Sequence, residues 1–115
     1  MTNYWNHLET LVADSKINID RPKGSRHPKN AEVIYSLDYG ELIGTTGGDG
    51  DGIDIWIGSK PDPKRVEGVI TTVDLWKRDA EIKILYGTTP EEMALALDTH
   101  NTEAQAAILV PRESD

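Results

Sequence analysis

The chain has 115 residues, no cysteine, and 20 acidic against 12 basic side chains, for a formal charge of −8. That length suits a single domain spanning residues 1–115, the missing cysteines exclude disulfides and thiolate metal sites, and the negative field repels nucleic-acid phosphates. No segment approaches the roughly 20 apolar residues of a membrane span, and residues 1–9 lack the pattern of a signal peptide, so a cytoplasmic protein with neither nucleic-acid nor membrane partner is expected.

Tyr4, Trp5, Leu8, Leu11 and Val12 recur on one helical face, with Thr2 or Asn3 placed to cap the helix. Residues 16–20 alternate, with Ile17 and Ile19 on one side, as in a half-buried strand. Residues 21–30 hold two prolines, a glycine and five basic residues, and predict a loop. A short strand follows at 32–36. Residues 44–52 contain five of the ten glycines and lead into an apolar strand at 53–57. Residues 60–64 form a turn, and β-rich stretches at 66–73 and 82–86 flank a charged segment at 77–81.

Thr89, Pro90 and Glu92 spell a helix start: Thr caps, Pro takes the first helical position, and Glu92 completes a capping box. Met93, Ala96 and Leu97 supply its buried side. Residues 106–110 predict a last strand, and 111–115 a frayed tail. Short strands with a helix near each end predict a mainly β (α+β) fold, a small OB-like curved or closed β-barrel flanked by the two helices.

The acidic glycine loop carries the chemistry. Asp49, Asp51 and Asp54 fall within six residues, separated only by glycine and isoleucine. Glycines let the backbone turn tightly enough for mutually repelling carboxylates to converge, and convergence is costly unless a cation neutralises them. Hard cations such as Mg²⁺ or Mn²⁺ take oxygen ligands of this kind. A helix-loop-helix calcium register fails, because counting from Asp49 places Asp54 at the glycine position and Lys60 at the terminal glutamate. An ordinary Asp-Gly turn would account for the first two acids. It does not account for Asp54, which lies inside an apolar strand on the face of Trp56.

Asp74 and Asp79 form a second acidic pair across a turn, with Lys77, Arg78 and Lys83 beside it. Arg21, Lys23, Arg26 and His27 concentrate positive charge in an otherwise acidic chain and suit phosphate oxygens. His7 and His100 lie in helical stretches and read as structural.

Asp49-Gly50-Asp51-Gly52-Ile53-Asp54 resembles the D-G-D-P-hydrophobic-D motif of the soluble, metal-dependent inorganic pyrophosphatases, with Gly for Pro. Tyr35-Ser36-Leu37-Asp38-Tyr39-Gly40 is similar to the family's Y-P-x-N-Y-G. Asp20-Arg21-Pro22-Lys23-Gly24-Ser25 resembles its E-I-P-K-G-S opening, and Asp74 and Asp79 keep the spacing of its second acidic pair. Four motifs thus run in order from about Ile17 to Lys83.

The resemblance implies metal-dependent hydrolysis of pyrophosphate, or a related small phosphoanhydride, with Mg²⁺ or alternatively Mn²⁺ as cofactor. Asp49, Asp54 and Asp79 would be metal ligands and Asp74 the ligand of a further metal. Asp51 would take the proton from the attacking water, and Tyr39 would donate to a phosphate oxygen. Arg21, Lys23, Arg26 and Lys83 would bind substrate. Three features depart from the family: Glu81 stands where a lysine is usual, the hairpin before Tyr35 is largely missing, and Thr99-His100-Asn101 replaces a Tyr-Lys pair. The alternative implied is a non-catalytic relative that binds metal and a phosphate ligand. Homo-oligomer formation stays open.

Overall fold

A computed structural model describes residues 3–113. Helix α1 (Tyr4–Ala13) is followed by strands β1 (Ile17–Arg21), β2 (Arg26–His27), β3 (Asn30–Ile34), β4 (Asp38–Leu42), β5 (Ile53–Ile57), β6 (Val66–Asp74) and β7 (Asp79–Tyr86), then helix α2 (Pro90–Thr99) and strand β8 (Gln105–Pro111). Six strands form one mixed sheet in the order β1-β4-β5-β7-β6-β8, while β2 and β3 make a separate hairpin. The sheet keeps β1 and β8 as unpaired edges, so among the described residues the expected architecture takes its curved form and not that of a closed barrel.

Alternation along the strands feeds two cores. Leu42, Ile55, Val69 and Ile84 point to one face and meet Trp5, Leu8 and Val12 of α1. Tyr39, Trp56, Ile70 and Leu85 point to the other and meet Met93 and Ala96 of α2. Each helix therefore covers one face of the sheet, and the period of two in the strands decides which residues reach which helix.

Local sequence explains most of the elements. Thr89 Oγ1 accepts from the Glu92 amide at 3.2 Å, and the Thr89 amide donates to Glu92 Oε1 at 2.9 Å, completing the capping box. Glu92 Oε1 also accepts from the Ser59 amide at 3.1 Å, which fixes the loop after β5 to the start of α2. Asn3 stands at the cap of α1 without a side-chain bond; Thr2, the other candidate, lies outside the described residues.

Four features depart from the sequence expectation. Strand β4 (DYGEL) is not predicted by its sequence, since Asp, Gly and Glu have low strand propensity, yet it pairs on both sides. Its Gly40 is required by close approach, since a Cβ there would lie 2.0 Å from the Asn18 carbonyl oxygen. The basic loop contains β2, closed onto β3, and β7 begins at Asp79, inside the charged segment. The tail does not fray at Pro111. That residue ends β8, and Arg112 Nη1 donates to Glu9 Oε2 at 2.5 Å and to the Val66 carbonyl at 3.1 Å. Ser114 and Asp115 lie outside the described residues.

Between the second core and the sheet, Trp56 Nε1 donates to His100 Nε2 at 3.0 Å. Burial, with a smaller contribution from Lys83, lowers the His100 pKa from 6.5 to about 3, so the ring is neutral near pH 7. A histidine that must stay neutral when folded binds fewer protons than the unfolded chain. Its contribution is complete above about pH 6.5 and is lost as pH falls toward about 3. At pH 5 the penalty should reach about 2 kcal/mol, from about 1.4 kcal/mol per pH unit. Urea unfolding of wild type and His100→Gln at pH 7.5 and about pH 5 checks this: the wild type should lose about that much more stability on acidification.

Candidate active site

An open cleft of about 1050 Å³ lies on the α2 face of the sheet. Sheet register decides which polar side chains reach it. Asp54 pairs with Lys83 across the parallel β5–β7 ladder, and Glu41 pairs with Asp54 across β4–β5. Asp74 pairs with Asp79 across the β6–β7 hairpin. Positions 79, 81 and 83 alternate onto one face of β7, so acids and a lysine line up across three strands.

The acidic loop enters from the end of the sheet. Gly48 sits against β7, where a Cβ would come within 1.8 Å of the Ala80 carbonyl oxygen, and Gly50 has φ +88°. Any larger residue at these positions would push the loop away from the strand. Asp49 Oδ1 accepts from the Asp51 amide at 3.0 Å, so Asp49 does build a turn as well as facing the cleft. Asp51 is exposed at the cleft wall and has no ion pair among the described residues. Asp74 Oδ1 accepts from the amides of Trp76 and Lys77, each at 2.9 Å, and so shapes the hairpin whose acids it presents.

Asp54 is held differently. Lys83 Nζ lies 2.6 Å from Asp54 Oδ2 and 3.3 Å from Glu81 Oε2, with the Lys83 side chain 6% exposed. The ammonium also sits 6.0 Å from the centre of the Tyr39 ring. Burial raises the Glu81 carboxyl; Lys83 opposes this, and Asp49 and Asp54 add to it. Burial, and then Asp54 beside it, push the Tyr39 hydroxyl well above the ordinary phenol range. Behind these groups Tyr35 stacks on Tyr39 with ring centres 5.3 Å apart, and Trp56 packs against Tyr39 at 4.6 Å with its ring tilted by 57°.

Of the residues singled out from the sequence, Asp49, Asp51, Asp54, Asp74, Tyr39, Lys83 and Arg21 line this one cleft. Arg21 Nη1 donates to the Tyr35 hydroxyl at 2.9 Å and its guanidinium lies over the Tyr35 ring. Lys23 and Arg26 are not among the lining residues. Arg26 Nη1 donates to the Ala31 carbonyl at 2.6 Å and closes the small hairpin, while the Lys23 amide donates to Asp38. Asp79 stands beside the cleft, 3.8 Å from Lys77 Nζ. Glu41, not singled out from the sequence, also lines the cleft, as does His100, whose bond to Trp56 fits its structural reading. No local signal marks Glu41, because strand β4, which turns it toward the cleft, forms only through pairing on both sides.

The donor set can be tested against a divalent cation. Among the described residues no three Asp, Glu or His side chains stand close enough to enclose one ion. Mg²⁺, however, commonly binds one or two carboxylates and completes its shell with water and substrate phosphate. Asp49, Asp51, Asp74 and Asp79 suit that mode. Asp79 Oδ1 is buried with no hydrogen-bond partner, and Asp74 and Asp79 oppose each other directly across the hairpin, where like charges repel. Both features are relieved by a cation. Asp54 differs, because its cation is already the Lys83 ammonium.

Among solved structures, the chain is similar to the inorganic pyrophosphatase of Helicobacter pylori, with a TM-score of 0.53 and 16% identity over 85% of this chain and 75% of that one. It is also similar to the inorganic phosphatase of Anaplasma phagocytophilum, with a TM-score of 0.50 and 15% identity over 84% and 74% of the two chains. At such identities the likeness shows the fold. No curated protein matches in sequence. The family model described as Inorganic Pyrophosphatase matches residues 2–109, nearly the whole chain, and the chain therefore belongs to the inorganic pyrophosphatase family.

Proposed function

We propose that the cleft hydrolyses pyrophosphate, or a related small phosphoanhydride, with the help of Mg²⁺ or Mn²⁺. The observation that carries this reading is the meeting of Asp49, Asp51 and Asp74 with Arg21 and Lys77 around one cleft, in a chain of this family. Carboxylates without ion-pair partners attract cations, cationic side chains attract phosphate oxygens, and phosphoryl transfer uses both together.

Asp49, Asp74 and Asp79 would hold metal, and Mg²⁺ or Mn²⁺ when bound would neutralise phosphate charge and lower the pKa of the attacking water. Asp51, exposed at the cleft wall, would accept the proton of the attacking water as its oxygen bonds to phosphorus and the bridging phosphorus–oxygen bond breaks, the second phosphate leaving with that bond's electron pair. Arg21 offers its remaining N–H groups to the substrate, since one is engaged by Tyr35. Lys77, 56% exposed, is mobile enough to exchange Asp79 for a phosphate oxygen. Tyr39 stays protonated through the physiological range and acts as a donor at the cleft floor. The packed rings of Tyr35 and Trp56 lie behind it.

A second reading, a metal- and phosphate-binding relative without turnover, is favoured by one observation: Lys83 is engaged by Asp54 and Glu81 and not presented to substrate. Phosphate release from pyrophosphate with Mg²⁺ decides between the two. Wild type should release phosphate, and Asp51→Asn should be slower by roughly 10²-fold or more with its fold intact by circular dichroism. Pyrophosphate binding by a wild type that releases no phosphate would select the second reading. Arg21→Ala should raise the KM for pyrophosphate about tenfold. Arg26→Ala should leave it within about twofold, because that guanidinium closes the hairpin away from the cleft. Equal effects of the two substitutions on KM would remove Arg21 from the phosphate site.

A further inference from the structure

Two carboxylates on one sheet face, Asp54 and Glu81, converge on a single point, and the Lys83 ammonium occupies it at 2.6 and 3.3 Å. The Asp54 and Glu81 side chains are 20% and 4% exposed, so water neutralises neither one well. The arrangement has the form of a cation centre: oxygen donors from two adjacent strands, a shielded interior, and one positive charge at the focus. That charge is covalently part of the chain.

We propose that Lys83 is a built-in counter-ion that takes the place of a divalent ion at the Asp54–Glu81 centre, so that this centre binds no metal in the native protein. Backbone register makes the placement persistent. Asp54 and Lys83 are direct partners in the parallel ladder, and Glu81 lies one pleat along the same strand. The ammonium cannot leave without stranding the buried Glu81 carboxylate and the part-buried Asp54 carboxylate with no compensating charge. A metal ion would have to displace it to bind there. The surrounding groups do not supply an alternative. Lys77 Nζ approaches Glu81 only to 4.0 Å from an exposed position, and Tyr39 offers a ring face and a hydroxyl kept protonated. Metal bound elsewhere is thereby left to acids with no buried ammonium beside them, Asp49 and Asp51 on the glycine loop and the hairpin pair Asp74 and Asp79, of which Asp79 meets only the exposed Lys77 at 3.8 Å.

Removing the ammonium should convert the centre into a metal site. Mn²⁺ titration of the full chain, followed by electron paramagnetic resonance and calorimetry, reads this directly. Lys83→Met should bind one more Mn²⁺ per chain than wild type, or bind Mn²⁺ at least about tenfold more tightly, and Lys83→Met/Asp54→Asn should lose that gain. In the otherwise native chain, Asp54→Asn should leave Mn²⁺ affinity within about twofold, which keeps the test available should Lys83→Met fold poorly. Identical Mn²⁺ binding by wild type and folded Lys83→Met would overturn the proposal. A tenfold or greater loss of Mn²⁺ affinity in Asp54→Asn alone would do the same. Binding is the readout throughout, so absence of pyrophosphate hydrolysis would count against the proposed activity and leave this inference standing.

Discussion

A lysine ammonium with only 5% of its residue surface exposed persists only where carboxylates surround it, and the position of Lys83 between Asp54 and Glu81 ties the site to the sheet. The pairing depends on one topological fact, the parallel alignment of β5 with β7, which sets Asp54 opposite Lys83. A slip of one residue would turn Lys83 toward the α1 core and put Ile84 in the cleft. Register is protected against such a slip from both faces, because Ile55 and Ile84 are buried on one side and Trp56 and Leu85 on the other. The apolar pattern that builds the two cores therefore also aligns the polar row that faces the cleft.

The acidic loop shows how one residue serves turn and site together. Asp49 binds the Asp51 amide and Asp74 binds two amides in its hairpin, each with the oxygen Oδ1. The second carboxylate oxygen of each remains available to a cation. Turn formation and a ligand role are thus compatible in such aspartates, since the turn engages only one of the two carboxylate oxygens. Glycine completes the arrangement at Gly48, where the loop lies directly on the backbone of β7.

Much of the fold was legible because its signals are local. The capping box at Thr89, the apolar run 53–57 and the β-rich stretch 66–73 correspond to α2, β5 and β6. Strand β4 was not legible, because DYGEL forms a strand only through pairing on both sides, a non-local cause. Spacing alone grouped Asp49, Asp51 and Asp54, which line one cleft. Their partners were not legible, since Asp54 and Lys83 are 29 residues apart and only the ladder brings them together. The basic loop divides for a similar reason. Composition shows that Arg21, Lys23 and Arg26 are close in sequence, but the β2–β3 hairpin directs Arg26 to a backbone carbonyl and leaves Arg21 at the cleft.

The Lys83 ion pair is the element on which both the geometry of the cleft and its cation occupancy turn. Proton–nitrogen correlation spectra of lysine-labelled protein observe its ammonium directly. A slowly exchanging ammonium signal, absent from Lys83→Met and unmoved by excess Mg²⁺, is the predicted result. A Lys83 signal that vanishes or shifts to the position of solvent-exposed lysines when Mg²⁺ is added would mean that the metal takes Asp54 from it, and would contradict the account.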